Sequence, residues 1–155
     1  MARRSAGLLL HRERSGEREV LLVHPGGPMW AKRDAGAWSI PKGEYDPTED
    51  PVAAAKREFE EELGTPAPAG PLRDLGEVKQ KSGKIVSAWA VAGDLDVTEI
   101  TSNTVEVQWP PRSGKMLEIP EVDRAEWFGI DEAREKINPA QAELLDRLAA
   151  ILDAA

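Results

Sequence analysis

The chain has 155 residues, 41% hydrophobic and 31% charged, a composition that fits one soluble globular domain with a real core. Asp and Glu outnumber Lys and Arg by 28 to 20, for a formal charge of −8. That balance argues against a broad nucleic-acid-binding face, because such faces neutralise phosphates with cations. It leaves room for a small phosphorylated ligand, since a metal ion or a local basic cluster reverses the sign inside a pocket. Without cysteine there are no disulfides, no thiolate chemistry and no zinc–thiolate site. The longest early apolar run, residues 6–10, is far too short to span a membrane, and the expected location is the cytoplasm.

Taken in chain order, residues 5–11 and 19–24 read as two strands separated by a polar stretch, residues 12–18. Residues 25–28, Pro-Gly-Gly-Pro, stop regular structure, and residues 37–40 form a short apolar piece ended by Pro41. A helix follows. Asp50 is its expected N-cap, Pro51 its first residue and Gly64 its stop. Val52, Ala55, Phe59 and Leu63 recur at three- and four-residue steps as its apolar stripe. Residues 75–79 and 84–92 read as strands around a turn at Ser82-Gly83, with later strands at 105–109 and 124–128. Between these last two, residues 110–120 read as a polar loop carrying Arg112 and Lys115, a candidate lid or flap. Residues 131–137 form a short helix, and Asn138-Pro139 opens a longer one with Leu144, Leu145, Leu148, Ile151 and Leu152 inward. Strands mixed with a central helix and terminal helices predict an α/β layered fold.

The central helix carries the chemistry. At about 100° per residue, Glu58 and Glu62 stack on one flank of the apolar stripe, with Glu61 on the same side and Glu60 turned to solvent. An acidic run is ordinarily a solvated face. Carboxylates crowded beside a buried stripe repel one another, and a hard divalent cation reverses that sign, since Mg²⁺ and Mn²⁺ prefer oxygen ligands. Glu49 can join or orient the cluster, and Arg57 can pair with a neighbouring carboxylate.

Gly43, Glu49, Arg57, Glu58, Phe59, Glu61, Glu62 and Gly64 stand in the order Gly-x5-Glu-x7-Arg-Glu-apolar-x-Glu-Glu-x-Gly. Chance matches to such a pattern arise on the order of 10⁻⁸ per start position at average residue usage. This pattern is the Nudix box, and the chain resembles the Nudix hydrolase family; Thr65 departs from the usual aliphatic residue at the final position. The resemblance implies an α/β/α sandwich with a mixed central sheet and a catalytic loop-helix-loop, in one domain over residues 1–155. It implies divalent metal, usually Mg²⁺ with Mn²⁺ as the alternative, on Glu58, Glu62 and Glu61 with the backbone carbonyl of Gly43. Arg57 is expected to orient the glutamates. Because the base varies in this family, Glu121 is the candidate for a loop-borne base, with Glu106 behind it.

Trp38-Ser39-Ile40-Pro41-Lys42-Gly43 resembles an element of Nudix enzymes that hydrolyse diadenosine polyphosphates, and of some oxidised-nucleotide sanitisers. Lys42 is then a point charge beside the phosphate chain. Lys79 and Lys81 are favoured among the lysines and arginines that could extend a basic rim, and His24 is the histidine placed to reach substrate. Core packing is the expected role of Trp38, Trp89 and Trp127. The leading expectation is hydrolysis of a small-molecule dinucleoside polyphosphate. A nucleoside triphosphate pyrophosphatase and a nucleotide sensor without turnover are the alternatives.

Overall fold

The computed structural model describes residues 3–154. In chain order the elements are β1 (Arg4–Arg14), β2 (Glu17–Pro25), β3 (Lys42–Glu44), α1 (Pro51–Leu63), β4 (Arg73–Lys79), β5 (Ile85–Ala92), β6 (Thr104–Gln108), β7 (Met116–Pro120), β8 (Val122–Gly129), α2 (Ile130–Lys136) and α3 (Ala142–Asp153). The main sheet runs β4-β5-β1-β2-β8, with β3 added beside β1. It is mixed: β1 runs parallel to β5, and the other pairs are antiparallel.

β1 is buried on both faces, which explains its nearly unbroken apolar run. Ala6, Leu8 and Leu10 point to the α1 side, where they meet Phe59 and Leu63. Leu9 points the other way, into a core with Val20, Leu22, Trp38, Phe128, Leu144, Leu145 and Leu148. Each fully enclosed leucine contributes about 1.5–3 kcal/mol relative to an exposed one. The result is the expected α/β/α sandwich, with α1 on one face and α2 and α3 on the other. Among the described residues no helix is long and apolar enough to cross a membrane.

β1 and β2 extend through residues 12–18, which the polarity of the sequence suggested as a connection. Their facing residues are Arg12 with Glu19, Glu13 with Arg18 and Arg14 with Glu17, so opposite charges stand across the ladder. Ser15 at φ 53° and Gly16 at φ 79° close a tight two-residue turn. The segment from 110 to 120 also differs from its expected form. Met116–Pro120 is a strand paired with β6, setting Val105 opposite Ile119 and Val107 opposite Leu117, and only the tip is a turn. Its prolines and charges mask a two-residue alternation in Leu117 and Ile119. The last helix starts at Ala142, after a separate 3-10 turn at Pro139–Gln141.

α1 starts and stops where its capping residues dictate. The Asp50 side chain accepts from the Ala53 N–H at 3.0 Å, Pro51 follows, and Gly64 closes the helix in the left-handed region at φ 76°. Ala54, Ala55, Phe59 and Leu63 are buried, whereas Val52 is only half-buried, so the apolar stripe starts one turn later than its sequence spacing indicates. Asp50→Ala is expected to cost about 1 kcal/mol, the usual effect of losing such a cap, read as a lower urea midpoint at constant m.

Candidate active site

α1 brings Glu58 and Glu62 to one edge of the sheet, where both are buried, with 7% and 5% of their surface exposed. A third carboxylate arrives from far along the chain. Glu121 occupies the single residue between β7 and β8, and one oxygen from each of Glu58, Glu62 and Glu121 lies within 4.8 Å of the others. Glu61 lines the same cavity but stands outside this trio, 3.3 Å from Arg57 and considerably more exposed. Glu60 is exposed, and Glu106 sits on the β6–β7 hairpin opposite Glu118, away from the cavity.

Backbone bonds fix where Glu121 sits. Its N–H donates to the Asn103 carbonyl at 3.0 Å, and its carbonyl accepts from Gly26 at 3.1 Å. Asn103 in turn donates to the Glu61 carbonyl at 2.8 Å, and Thr101 to the Leu63 carbonyl at 3.1 Å. The Ser102 hydroxyl accepts from the Val122 N–H at 3.0 Å. Residues 101–103 are therefore a strap. They satisfy carbonyls of the last turn of α1, which a helix leaves open, and hold the residue that completes the cluster.

The electrostatics follow from this crowding. Burial pushes the Glu62 carboxyl well above the ordinary carboxylate range, reinforced by hydrogen bonding and charge from Glu121. Glu58 is raised by burial and by the charge of Glu61, against the pull of Arg57. Arg57 grips Glu49 with two nitrogens at 2.9 and 3.0 Å and reaches Glu58 at 2.8 Å, and these bonds, that to Glu49 foremost, hold its guanidinium firmly protonated. Gly43 leaves no room for a side chain, since a Cβ there would overlap the Glu58 carboxylate. Its strand pairing with Ala6 holds that approach in place.

Lys42 is half-buried beside the trio. Burial and the nearby Lys84 lower its pKa, while Glu62, Glu121 and Glu44 oppose them. The preceding Trp38 anchors this segment: it is buried, meets Phe128 edge-on at 5.0 Å, and accepts at its carbonyl from Asn138 at 2.7 Å. Buried Gln141 accepts from the Ile40 N–H at 3.1 Å and donates to the Ser39 hydroxyl at 3.0 Å.

A cavity of about 580 Å³ joins these groups, with Trp30, Asn138 and Gln141 at its wall as well as Lys42 and the carboxylates. Two of the expected substrate contacts fall outside it. Lys79 is the exposed neighbour of buried Val78, so strand alternation turns it away, and Lys81 is exposed on the following turn. Gln80 and Lys84 line the cavity instead. His24 does not reach it either. The ring is fully buried, with Nδ1 2.8 Å from Asp123, Nε2 2.6 Å from the Arg33 carbonyl, and its edge against Trp38. It ties the loop after β2 to β8. Trp127 is half-buried against the α1-side core, as expected, with Arg12 stacked 4.0 Å from its ring centre. Trp30, Gln80, Lys84, Asn138 and Gln141 carried no spacing signal in the sequence.

The two buried carboxylates, Glu58 and Glu62, are crowded by the half-buried Glu121, and the donor set is hard oxygen throughout. The geometry therefore fits a divalent cation bound by Glu58, Glu62 and Glu121, a combination that serves hydrolases of phosphate anhydrides. The chain belongs to the Nudix family: the family model described as NUDIX domain matches residues 1–148. It is a hydrolase acting on pyrophosphate bonds, in a family that generally uses divalent metal and binds nucleotide-linked small molecules.

Similar solved structures agree on the fold. A C. elegans Ap4A hydrolase binary complex superposes at a TM-score of 0.70 with 23% identity, covering 99% of this chain and 100% of that one. The NUDIX domain of Shewanella oneidensis NrtR, complexed with ADP ribose, gives 0.68 at 14% identity, covering 98% and 89%. The M. smegmatis Nudix hydrolase RenU gives 0.60 at 23% identity, covering 97% and 86%. No curated protein matches the sequence.

Arg57→Ala is expected to weaken divalent-metal affinity roughly 10- to 100-fold, the usual effect of removing a group that orients ligands. Titrating activity with metal measures this, and Arg57→Lys should recover little because it cannot make the two-pronged contact with Glu49.

Proposed function

We propose that the chain hydrolyses a phosphoanhydride bond in dinucleoside polyphosphates such as diadenosine tetraphosphate, using Mg²⁺ with Mn²⁺ as a substitute. The observation that carries this reading is the shared cavity, which places the Glu58–Glu62–Glu121 trio beside Lys42 at the end of the Trp38-to-Gly43 element. When bound, the cation neutralises the diphosphate and lowers the pKa of a water molecule. Glu58, Glu62 and Glu121 would hold it, with Glu61 and the Gly43 carbonyl alongside. Glu121 is loop-borne and accepts the proton of the attacking water. Lys42 presents a point charge to a phosphate oxygen. Arg57 fixes the rotamers of Glu58 and Glu61 through the contacts described above. Trp30, at the cavity wall with Arg33 5.3 Å from its ring centre, offers an aromatic face to a base. The working unit is one domain in the cytoplasm that acts on a small-molecule nucleotide, without nucleic acid or membrane. The likeness to the C. elegans Ap4A hydrolase supports the substrate class.

The test is a screen of purified protein with Mg²⁺ against dinucleoside polyphosphates, nucleotide sugars, ADP-ribose, NADH and damaged nucleoside triphosphates. Diadenosine tetraphosphate should yield ATP and AMP. Preferred release of pyrophosphate and a monophosphate from a triphosphate would replace this reading with a triphosphate pyrophosphatase, and tight binding without turnover would replace it with a sensor.

A further inference from the structure

One hydroxyl in the cavity has no use in the chemistry above. Ser5 Oγ is fully buried and, among the described residues, is the buried side-chain polar atom without a hydrogen-bond partner. Unpaired buried hydroxyls are destabilising and rare, so one that persists at a cavity wall points to a partner that arrives from the cavity. Ser5 lines that wall. It lies on β1 opposite Glu44 of β3 and alongside Val86 of β5.

Gln80 and Lys84 line the same wall, from the two ends of the β4–β5 turn, which the Gln80 N–H closes on the Lys84 carbonyl at 2.8 Å. The Lys84 ammonium is 3.4 Å from a Glu44 oxygen, and Arg3 stands 3.7 Å from the same atom. Lys42 is close enough to feel the charge of Lys84. Two cations thus flank one carboxylate here, with Lys42 within electrostatic reach, in contrast to the glutamate trio of the same cavity. Such a balance repels a second divalent cation and attracts an oxyanion.

We propose that Ser5, Gln80 and Lys84 form a far-phosphate subsite, which binds a phosphate of the substrate chain beyond the pair cleaved at the carboxylate trio. The Ser5 hydroxyl and the Gln80 amide donate to phosphate oxygens, and Lys84 turns from Glu44, which keeps Arg3, to supply charge. This rests on the hydrolase reading above and extends it to phosphate number. The site favours chains of three or more phosphates over simple diphosphate linkages.

The experiment compares wild type, Ser5→Ala, Lys84→Met and Lys84→Arg on diadenosine tetraphosphate and on ADP-ribose, with Mg²⁺ and with melting temperature as a check on folding. The ratio of kcat/KM for the tetraphosphate to that for the diphosphate should fall about tenfold in Ser5→Ala and in Lys84→Met, as expected for one lost hydrogen bond to a charged group. Lys84→Arg should restore most of the ratio. An unchanged ratio in both loss variants overturns the subsite. So does an equal fall on both substrates, the mark of a structural role or of a trapped water. Lys84 lies on a turn, so its variants keep the test decisive if Ser5→Ala folds poorly. Absence of wild-type turnover on every phosphoanhydride would remove the functional reading, and the subsite with it.

Discussion

Replacing Glu62 by glutamine is expected to lower kcat with Mg²⁺ by roughly 10²- to 10⁴-fold, the range associated with losing a metal-supporting or proton-handling carboxylate. The same change should raise the melting temperature of the metal-free protein. Glu62 is buried, and burial together with Glu121 works against its charge. The substitution removes that charge, while the new amide still donates to the Glu121 carboxyl. Opposite movements of activity and stability are the signature of a group kept for chemistry at the expense of the fold. Unchanged turnover in E62Q would reject the metal assignment, and a lower metal-free melting temperature would reject the account of its burial.

The second large effect is a pH dependence that metal reverses. Glu58 and Glu62 both have folded-state pKa values raised above the ordinary carboxylate range, Glu62 strongly. From about pH 4.3, the unperturbed value, up to those raised values, the folded state binds more protons than the unfolded state. Stability from these two groups is therefore fully present below that window and is lost as pH rises through it. In a chelator the protein should melt lower at pH 8 than near pH 5.5. Saturating Mg²⁺ binds the ionised form and should restore about 2.7 kcal/mol at a hundredfold excess over Kd, so the gain from metal should be larger at pH 8. Melting curves at both pH values, with Mg²⁺ and with EDTA, decide it. An equal gain at the two values would mean that the trio is not where the metal binds.

Much of this site was legible in the sequence. α1 announced both of its ends through Asp50, Pro51 and Gly64, and helical spacing alone set Glu58 and Glu62 apart from Glu60. Local rules suffice there because caps and side-chain stacking act within a few residues. Glu121 was reachable only by resemblance, since 59 positions of sequence separate it from Glu62 and no periodicity links them. The residues that fall away from the cavity do so for a shared reason. Lys79 is favoured in the sequence for its place near the first strand after α1, yet the strand's alternation decides which way it points, and buried Val78 is the better guide. His24 sits in a β2 whose apolar residues pack on both faces of the sheet, so its sequence could not say that both ring nitrogens were already engaged. Ser5 and Gln141 look like ordinary polar residues until the sheet and α3 close around them. In each case the deciding contact is one that only tertiary packing creates.

The strap at residues 101–103 has a consequence for engineering. Asn103 and Glu121 are joined by a backbone bond, so the whole β6–β7 hairpin leaves and returns through one clamped doorway. Its exposed tip, with Arg112 and Gly114 both at positive φ, can change length or carry cargo without passing that change to Glu121. Exposed tips of this kind are where chains best accept insertions. The hairpin is thus a natural graft point for a reporter or a second binding module, mounted at the edge of the site while the chemistry beneath keeps its geometry.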